Sequence, residues 1–196
     1  MASGAAGTLR GRVVVVSGAS SGIGEAVARD VVARGARVVI NARRADRLES
    51  LAKELQGGEK ERRVAVAAGD AADEATVRLM LDTARSAFGA EADAVIVNAG
   101  RGLNGSVFTS DTSQWEVMVR TNLLGAARLM REAAHRMVKD VESLGADGWK
   151  TRAHDIVVIG SSVGRHISPF SSMYGSTKFA VHSLGEGLRR EVGPKG

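Results

Sequence analysis

Five short apolar runs punctuate this chain: Val13–Ser17, Arg37–Asn41, Val64–Ala68, Ala94–Asn98 and Asp155–Gly160. They are rich in valine and isoleucine and almost continuous in apolar character. That is the pattern of parallel strands covered on both faces, not the alternation of a half-exposed sheet. Between and after them lie segments with apolar residues at helical spacing: Gly22–Arg34, Ala45–Leu55, Asp73–Phe88, the long stretch Asp111–Leu144, and Ser172–Val192. Val27, Val31 and Val32 share one helix face, as do Leu48, Leu51 and Leu55. Strict strand–helix alternation permits one economical solution, a doubly wound α/β sheet with helices on both faces. Gly35 is placed as a helix C′ residue, and Asp70 or Asp73 as the cap of the third helix. The polar segment Gly145–His154 reads as an exposed loop. The length of 196 residues fits a single domain, with residues 1–10 as a flexible tail.

The fifth run is fully apolar and so expects strand neighbours on both sides, since an open apolar edge invites aggregation. The chain closes on GPKG directly after a helix. At least one further strand is therefore expected beyond the residues given.

Composition removes several function classes. There is no cysteine, which excludes disulfides, cysteine-based zinc sites and thiol chemistry and fits a reducing compartment. The formal charge of +5 comes from basic residues interleaved with acids, as in GEKERR at Gly58–Arg63. No basic helix or aromatic RNA-binding motif accompanies it, so a solvated surface is expected and nucleic-acid binding is not. No apolar run approaches the ~20 residues of a membrane span, and the N-terminus lacks the charged-then-apolar order of a signal peptide. The expected location is the cytoplasm. No metal site is expected.

The first strand runs into SGASSGIG, Ser17–Gly24, with the pattern G-x-x-x-G-x-G at Gly18, Gly22 and Gly24. A strand-to-helix turn poor in Cβ atoms lets the backbone approach a diphosphate, whose charge the helix N-terminus favours. Gly18, Ser20, Ser21, Gly22, Ile23 and Gly24 are accordingly the expected cradle of a dinucleotide. Gly24 also permits close packing of the first helix on the sheet. An acid at the end of the second strand ordinarily binds the adenosine ribose. Here that place holds Ala42, followed by Arg43 and Arg44. A guanidinium there binds a 2′-phosphate that a carboxylate would repel. The expected cofactor is NADP(H) rather than NAD(H).

Tyr174 is the chain's only tyrosine, and Lys178 lies one helical turn beyond it. A free phenol titrates near ~10, and a neighbouring ammonium favours its phenolate. The spacing therefore supplies an acid/base pair. Gly160–Gly164 (GSSVG) places two serines just after the fifth run, where ligands bind in parallel sheets. It is not the G-x-S-x-G elbow of a hydrolase, because the serine comes one place early.

With these pieces in place, the chain from about Gly11 onward resembles the short-chain dehydrogenase/reductase family. SGASSGIG is similar to the family's TGxxxGxG, with Ser17 for the first threonine. Val97–Gly100 (VNAG) is similar to NNAG, with Val97 for the first asparagine. Asn122 in RTNLLG matches the family's helix asparagine, and Gly160–Lys178 carries its serine and YxxxK. The resemblance implies a Rossmann fold with strand order 3-2-1-4-5, followed by further strands and a substrate-covering loop that are absent from this chain. It implies an NADP(H)-dependent oxidoreductase that moves hydride between nicotinamide and a carbonyl or secondary alcohol. In that reading Tyr174 is the proton donor or acceptor, and Lys178 tunes it and contacts the nicotinamide ribose.

The family's serine lies thirteen positions before the tyrosine, which selects Ser161 to hold the substrate oxygen; Ser162 is the alternative if the register slips. Asn122 is either a local hydrogen-bonder or, as in the family, the holder of a relay water. Asn98 is expected to fix the turn after the fourth strand, with Ala99 and Gly100 leaving room for the adenosine half. Asp70 resembles the acid that contacts adenine and can also cap a helix. The resemblance further implies a homodimer or homotetramer through the long helix and the last helix. A reading from another class is a non-catalytic NADP(H)-binding or interaction module.

Overall fold

In a parallel strand covered on both sides, successive residues must find two different cores. The first valine run does so: Val13 and Val15 pack with Met80, Leu81, Leu129 and Met130 on one face, while Val14 and Val16 pack with Ala28, Val31, Leu48 and Leu51 on the other. Burying one such side chain contributes ~1.5–3 kcal/mol, so the run is held from both sides. This arrangement is seen in a computed structural model that describes residues 8–103 and 105–193.

Five parallel strands form one sheet in the order β3-β2-β1-β4-β5. They are β1 Val13–Ser17, β2 Arg37–Ala42, β3 Val64–Ala68, β4 Ala94–Val97 and β5 Asp155–Val158. Helices α1 (Gly22–Ala33) and α2 (Ala45–Gln56) cover one face. Helices α3 (Glu74–Phe88), α5 (Ala126–Ser143) and α7 (Ser172–Val192) cover the other. Gly35, at φ +93°, closes α1 as expected. Its N–H reaches the Val32 carbonyl at 2.9 Å and the Ala36 N–H reaches that of Val31 at 3.0 Å, the two bonds of a Schellman motif. Among the described residues β5 pairs only with β4, and Val157 is 43% exposed.

Four expectations are corrected. The stretch Asp111–Leu144 is not one regular helix. It comprises a 3-10 turn (Thr112–Gln114), α4 (Trp115–Val119), one π-helical turn (Arg120–Gly125) and α5. The π turn falls where Asn122 bonds sideways to neighbouring elements and where a Cβ on Gly125 would lie 3.0 Å from the Ala71 carbonyl. Local register yields there to tertiary contacts. Second, Asp73 occupies the N-cap position of α3, but its side chain makes no capping bond. It pairs instead with Arg120. Asp70 Oδ1 accepts from the Ala72 N–H at 2.9 Å.

Third, Gly145–His154 is not simply an exposed loop. It contains the short helix α6 (Gly148–Thr151), and its end is drawn into a charge cluster beneath the sheet. Arg152 Nε meets Asp93 Oδ1 at 3.0 Å and Asp140 Oδ2 at 3.2 Å. His154 Nε2 lies 3.2 Å from the same Asp140 oxygen. Burial, reinforced by Arg152, pushes the His154 imidazole below the ordinary histidine value, although Asp140 and Asp93 oppose this. Fourth, of the expected tail, residues 1–7 lie outside the described residues, while Leu9 packs against the α1–α2 core and its N–H bonds the Arg34 carbonyl.

Candidate active site

The C-terminal ends of β1 and β4 are riveted to each other by Ser17 and Asn98. Ser17 Oγ donates to the Ile96 carbonyl at 3.2 Å and accepts from the N–H groups of Asn98 and Ala99, each at 3.0 Å. Asn98 Nδ2 returns bonds to the carbonyls of Ser17 (3.0 Å) and Gly18 (3.2 Å). Asn98 thus fixes the glycine turn as well as the turn after β4. Beneath that turn lies Gly24, where a Cβ would strike the Gly18 carbonyl and come within 2.5 Å of Asn98 Nδ2. Only glycine lets α1 sit this close to the sheet. Ser21 occupies the N-cap position of α1 without a capping side-chain bond, so the helix opens with free amides. The Ser20 and Ser21 hydroxyls instead accept from Arg44 Nη2 at 2.8 and 3.2 Å.

Two adjoining cavities cross these strand ends. The larger, about 520 Å³, is lined by Gly18, Ser20, Ser21, Arg43, Arg44, Asp70, Ala99, Gly100 and Arg101, among others. The smaller, about 280 Å³, shares Gly18, Ser21, Ala99, Gly100 and Arg101 and adds Ile23, Asn98, Gly160, Tyr174 and Lys178. Most expected site residues therefore converge on one cleft. Gly22 and Gly24 do not line it, although Gly24 packs against the lining residues Gly18 and Asn98. Asn122 and Ser161 are not among the lining residues, but their chain neighbours Thr121 and Gly160 are.

Tyr174 and Lys178 project from the first turns of α7, with Lys178 Nζ 5.9 Å from the Tyr174 ring centre. Lys178 is only 7% exposed. Burial holds its ammonium below the ordinary lysine value, and Nζ donates to the Ile159 carbonyl at 2.7 Å. The loop after β5 packs directly on this part of α7. A Cβ at Gly164 would lie 2.9 Å from the Lys178 carbonyl oxygen, and one at Gly175 would lie 3.3 Å from that of Val163. Ser161 opens the 3-10 turn Ser162–Gly164 and its Oγ accepts from the Val163 N–H at 3.4 Å. That bond uses an oxygen lone pair and leaves the hydroxyl proton for donation. Ser162 is exposed.

Asn122, 2% exposed, clamps the cleft from behind. Its Oδ1 accepts from the Arg101 N–H at 2.8 Å, and its Nδ2 donates to the Arg101 carbonyl at 2.9 Å and to Thr177 Oγ1 at 3.1 Å. Thr177 in turn donates to the Tyr174 carbonyl at 2.7 Å. The Asn122 amide is thus committed to protein groups, linking the loop after β4 to the turn that carries Tyr174. The sequence marks Thr177 only as a small residue between Tyr174 and Lys178 and gives Arg101 no role. Thr177 had a signal, being enclosed by the Y-x-x-x-K spacing; Arg101 had only its place directly after VNAG.

Residues 12–196 match the short chain dehydrogenase family. The chain belongs to that family. Among curated relatives, an uncharacterized oxidoreductase of Staphylococcus saprophyticus is 29% identical over 188 residues, covering 96% of this chain and 75% of that protein. Among solved structures, L-sorbose reductase from Gluconobacter frateurii, complexed with NADPH and L-sorbose, is 28% identical with a TM-score of 0.81, covering 95% of this chain and 66% of that one. A short chain dehydrogenase/reductase from Burkholderia phymatum in complex with NAD is 27% identical with a TM-score of 0.84, covering 96% and 62%. The chain therefore spans about three quarters of the curated relative and under two thirds of these two structures. The two structures hold different dinucleotides. Among the described residues no helix is long and apolar enough to cross a membrane.

Proposed function

We propose that the protein is an NADP(H)-dependent oxidoreductase acting on a carbonyl or secondary alcohol. The observation that carries this reading is the convergence of the glycine turn, Arg43 and the Tyr174–Lys178 pair on one cleft. The residues present fit a dinucleotide phosphate. Gly18, Ser20 and Ser21 line the cavity, and with the uncapped amides of α1 they would hold the diphosphate. Arg43 lines the cavity beside Ala42 with no acid at the end of β2, which favours a 2′-phosphate. Arg44 lines the same cavity and is tied to Ser20 and Ser21. Asp70 serves the adenine end. The NADPH complex of the sorbose reductase supports the preference, and the NAD complex of the Burkholderia protein is the contrary case.

When bound, NADPH supplies the hydride. Tyr174 holds the proton that reaches the substrate oxygen as charge develops there, or takes it in the reverse direction. Lys178, fixed by the Ile159 carbonyl, keeps a positive charge one turn below that phenol. Ser161 offers its hydroxyl proton to the same oxygen and so orients the carbonyl. Asn122 acts as a positioning residue, since its amide is occupied by Arg101 and Thr177. The second lone pair of Oδ1 and the main-chain carbonyl are the acceptors through which Asn122 would hold a relay water.

A separate groove of about 620 Å³ lies between α5 and α7, lined by Ala127, Met130, Ala134, Val138, Leu184 and Leu188 among others. We assign it to contact with a second copy, giving a homodimer or homotetramer. The functional test is NADPH oxidation by the full-length protein with a panel of ketones and aldehydes. Tight NADPH binding without turnover of any carbonyl would favour a binding module instead.

A further inference from the structure

One further arginine, beyond Arg43 and Arg44, lines the cleft. Arg101 lines both cavities, at the point where they join. Its main chain is gripped on both sides by Asn122, and its Nη2 donates to Gln114 Oε1 at 2.8 Å. Both ends of the residue are therefore held. Its charge, however, meets no carboxylate among the described residues. Arg12, Arg29, Arg34, Arg120, Arg136 and Arg152 each pair with an acid, whereas Arg101, like Arg43 and Arg44 in the same cleft, does not, and its side-chain partner is the neutral Gln114 amide. The residues lining the Tyr174 cavity include Arg101 and Lys178 and no acid.

A part-buried cation without a counter-charge gains most from an anionic ligand, and a guanidinium takes a carboxylate through two parallel bonds. The cofactor's own phosphates already have the glycine turn, the α1 amides, Arg43 and Arg44. We infer that Arg101 is a specificity-determining residue that binds the carboxylate of an anionic substrate, so that the preferred carbonyl compound is a keto acid or, in reverse, a hydroxy acid. This rests on the oxidoreductase reading above and extends it to a substrate class.

The test compares keto acids with their uncharged methyl esters, using acetoacetate and levulinate and the two esters, on the full-length wild type and Arg101→Gln. Glutamine keeps a donor for Gln114 and removes the charge. The acid-to-ester ratio of kcat/KM should fall at least ~10-fold in Arg101→Gln, with partial recovery in Arg101→Lys. An unmoved ratio overturns the inference in either of two ways. If the NADPH Kd weakens, the guanidinium serves a cofactor phosphate; if it does not, Arg101 is only a surface residue. Should the wild type bind NADPH but reduce neither member of a pair nor any carbonyl of the wider ketone and aldehyde panel, the oxidoreductase reading fails separately. Calorimetry of levulinate on the NADPH-saturated protein then decides the subsite: weaker binding in Arg101→Gln supports it, and equal binding overturns it.

Discussion

Replacing Asn122 by alanine should loosen the back of the cleft by an amount that can be worked out from its bonds. The side chain makes three, to the Arg101 N–H, the Arg101 carbonyl and Thr177 Oγ1. Truncation leaves those partners without their bonds in a place where Asn122 itself is nearly inaccessible to water. An unsatisfied buried polar group costs ~1–3 kcal/mol, and Arg101 is only part-buried, so water restores some of the loss. The net expectation is ~2–4 kcal/mol. With a urea m-value of about 2 kcal/mol/M, the unfolding midpoint should fall by ~1–2 M. Asn122→Asp should lose nearly as much. It keeps the acceptor for the Arg101 N–H but turns an oxygen toward the Arg101 carbonyl. Because Thr177 passes the link on to the Tyr174 carbonyl, kcat should drop in the alanine variant along with stability. A midpoint within ~0.3 M of wild type, with kcat retained, would refute the clamp.

Arg43→Asp should lower the preference for NADPH over NADH by roughly 10–100-fold in Kd, the value of one charge-assisted contact to a phosphate; fluorescence titration of both cofactors checks it. Gly24→Ala should be poorly tolerated, because its Cβ collides with the Gly18 carbonyl and Asn98; a loss of at least ~2 kcal/mol in urea unfolding is expected, together with weaker NADPH binding. His154 has a folded-state value depressed mainly by burial. The unfolded chain therefore takes up its proton first, so stability is full above the ordinary histidine value of about 6.5 and is lost as pH falls below it. His154→Gln should flatten the fall in urea midpoint between about pH 7.5 and about pH 5.5; an unchanged slope would remove His154 as its source.

The valine runs were readable because a strand buried on both faces has nowhere to put a polar residue, and all five strands lie where those runs are. The glycine turn and the Tyr174–Lys178 spacing were equally legible, since each is a local pattern with a local reason. What stayed hidden depends on partners distant in the chain. The π turn at Arg120–Gly125 follows from bonds that Asn122 makes to Arg101 and Thr177, and no helical periodicity announces them. Asp73 stood as a possible helix cap, yet its side chain is taken by Arg120, forty-seven residues away. His154 looked like loop until Asp140 and Arg152 closed around it. Ser17 appeared as a mild substitution in the glycine motif, whereas its hydroxyl ties β1 to β4.

The central claim is that the phenol of Tyr174 moves the proton while the rest of the cleft holds the cofactor. Tyr174→Phe in the full-length protein isolates that hydroxyl. NADPH should bind with a Kd within about threefold of wild type, because the glycine turn, Arg43 and Lys178 are untouched, while carbonyl reduction should fall by at least ~100-fold, within the range contributed by a positioned acid/base. Retention of wild-type turnover in that variant would contradict the account.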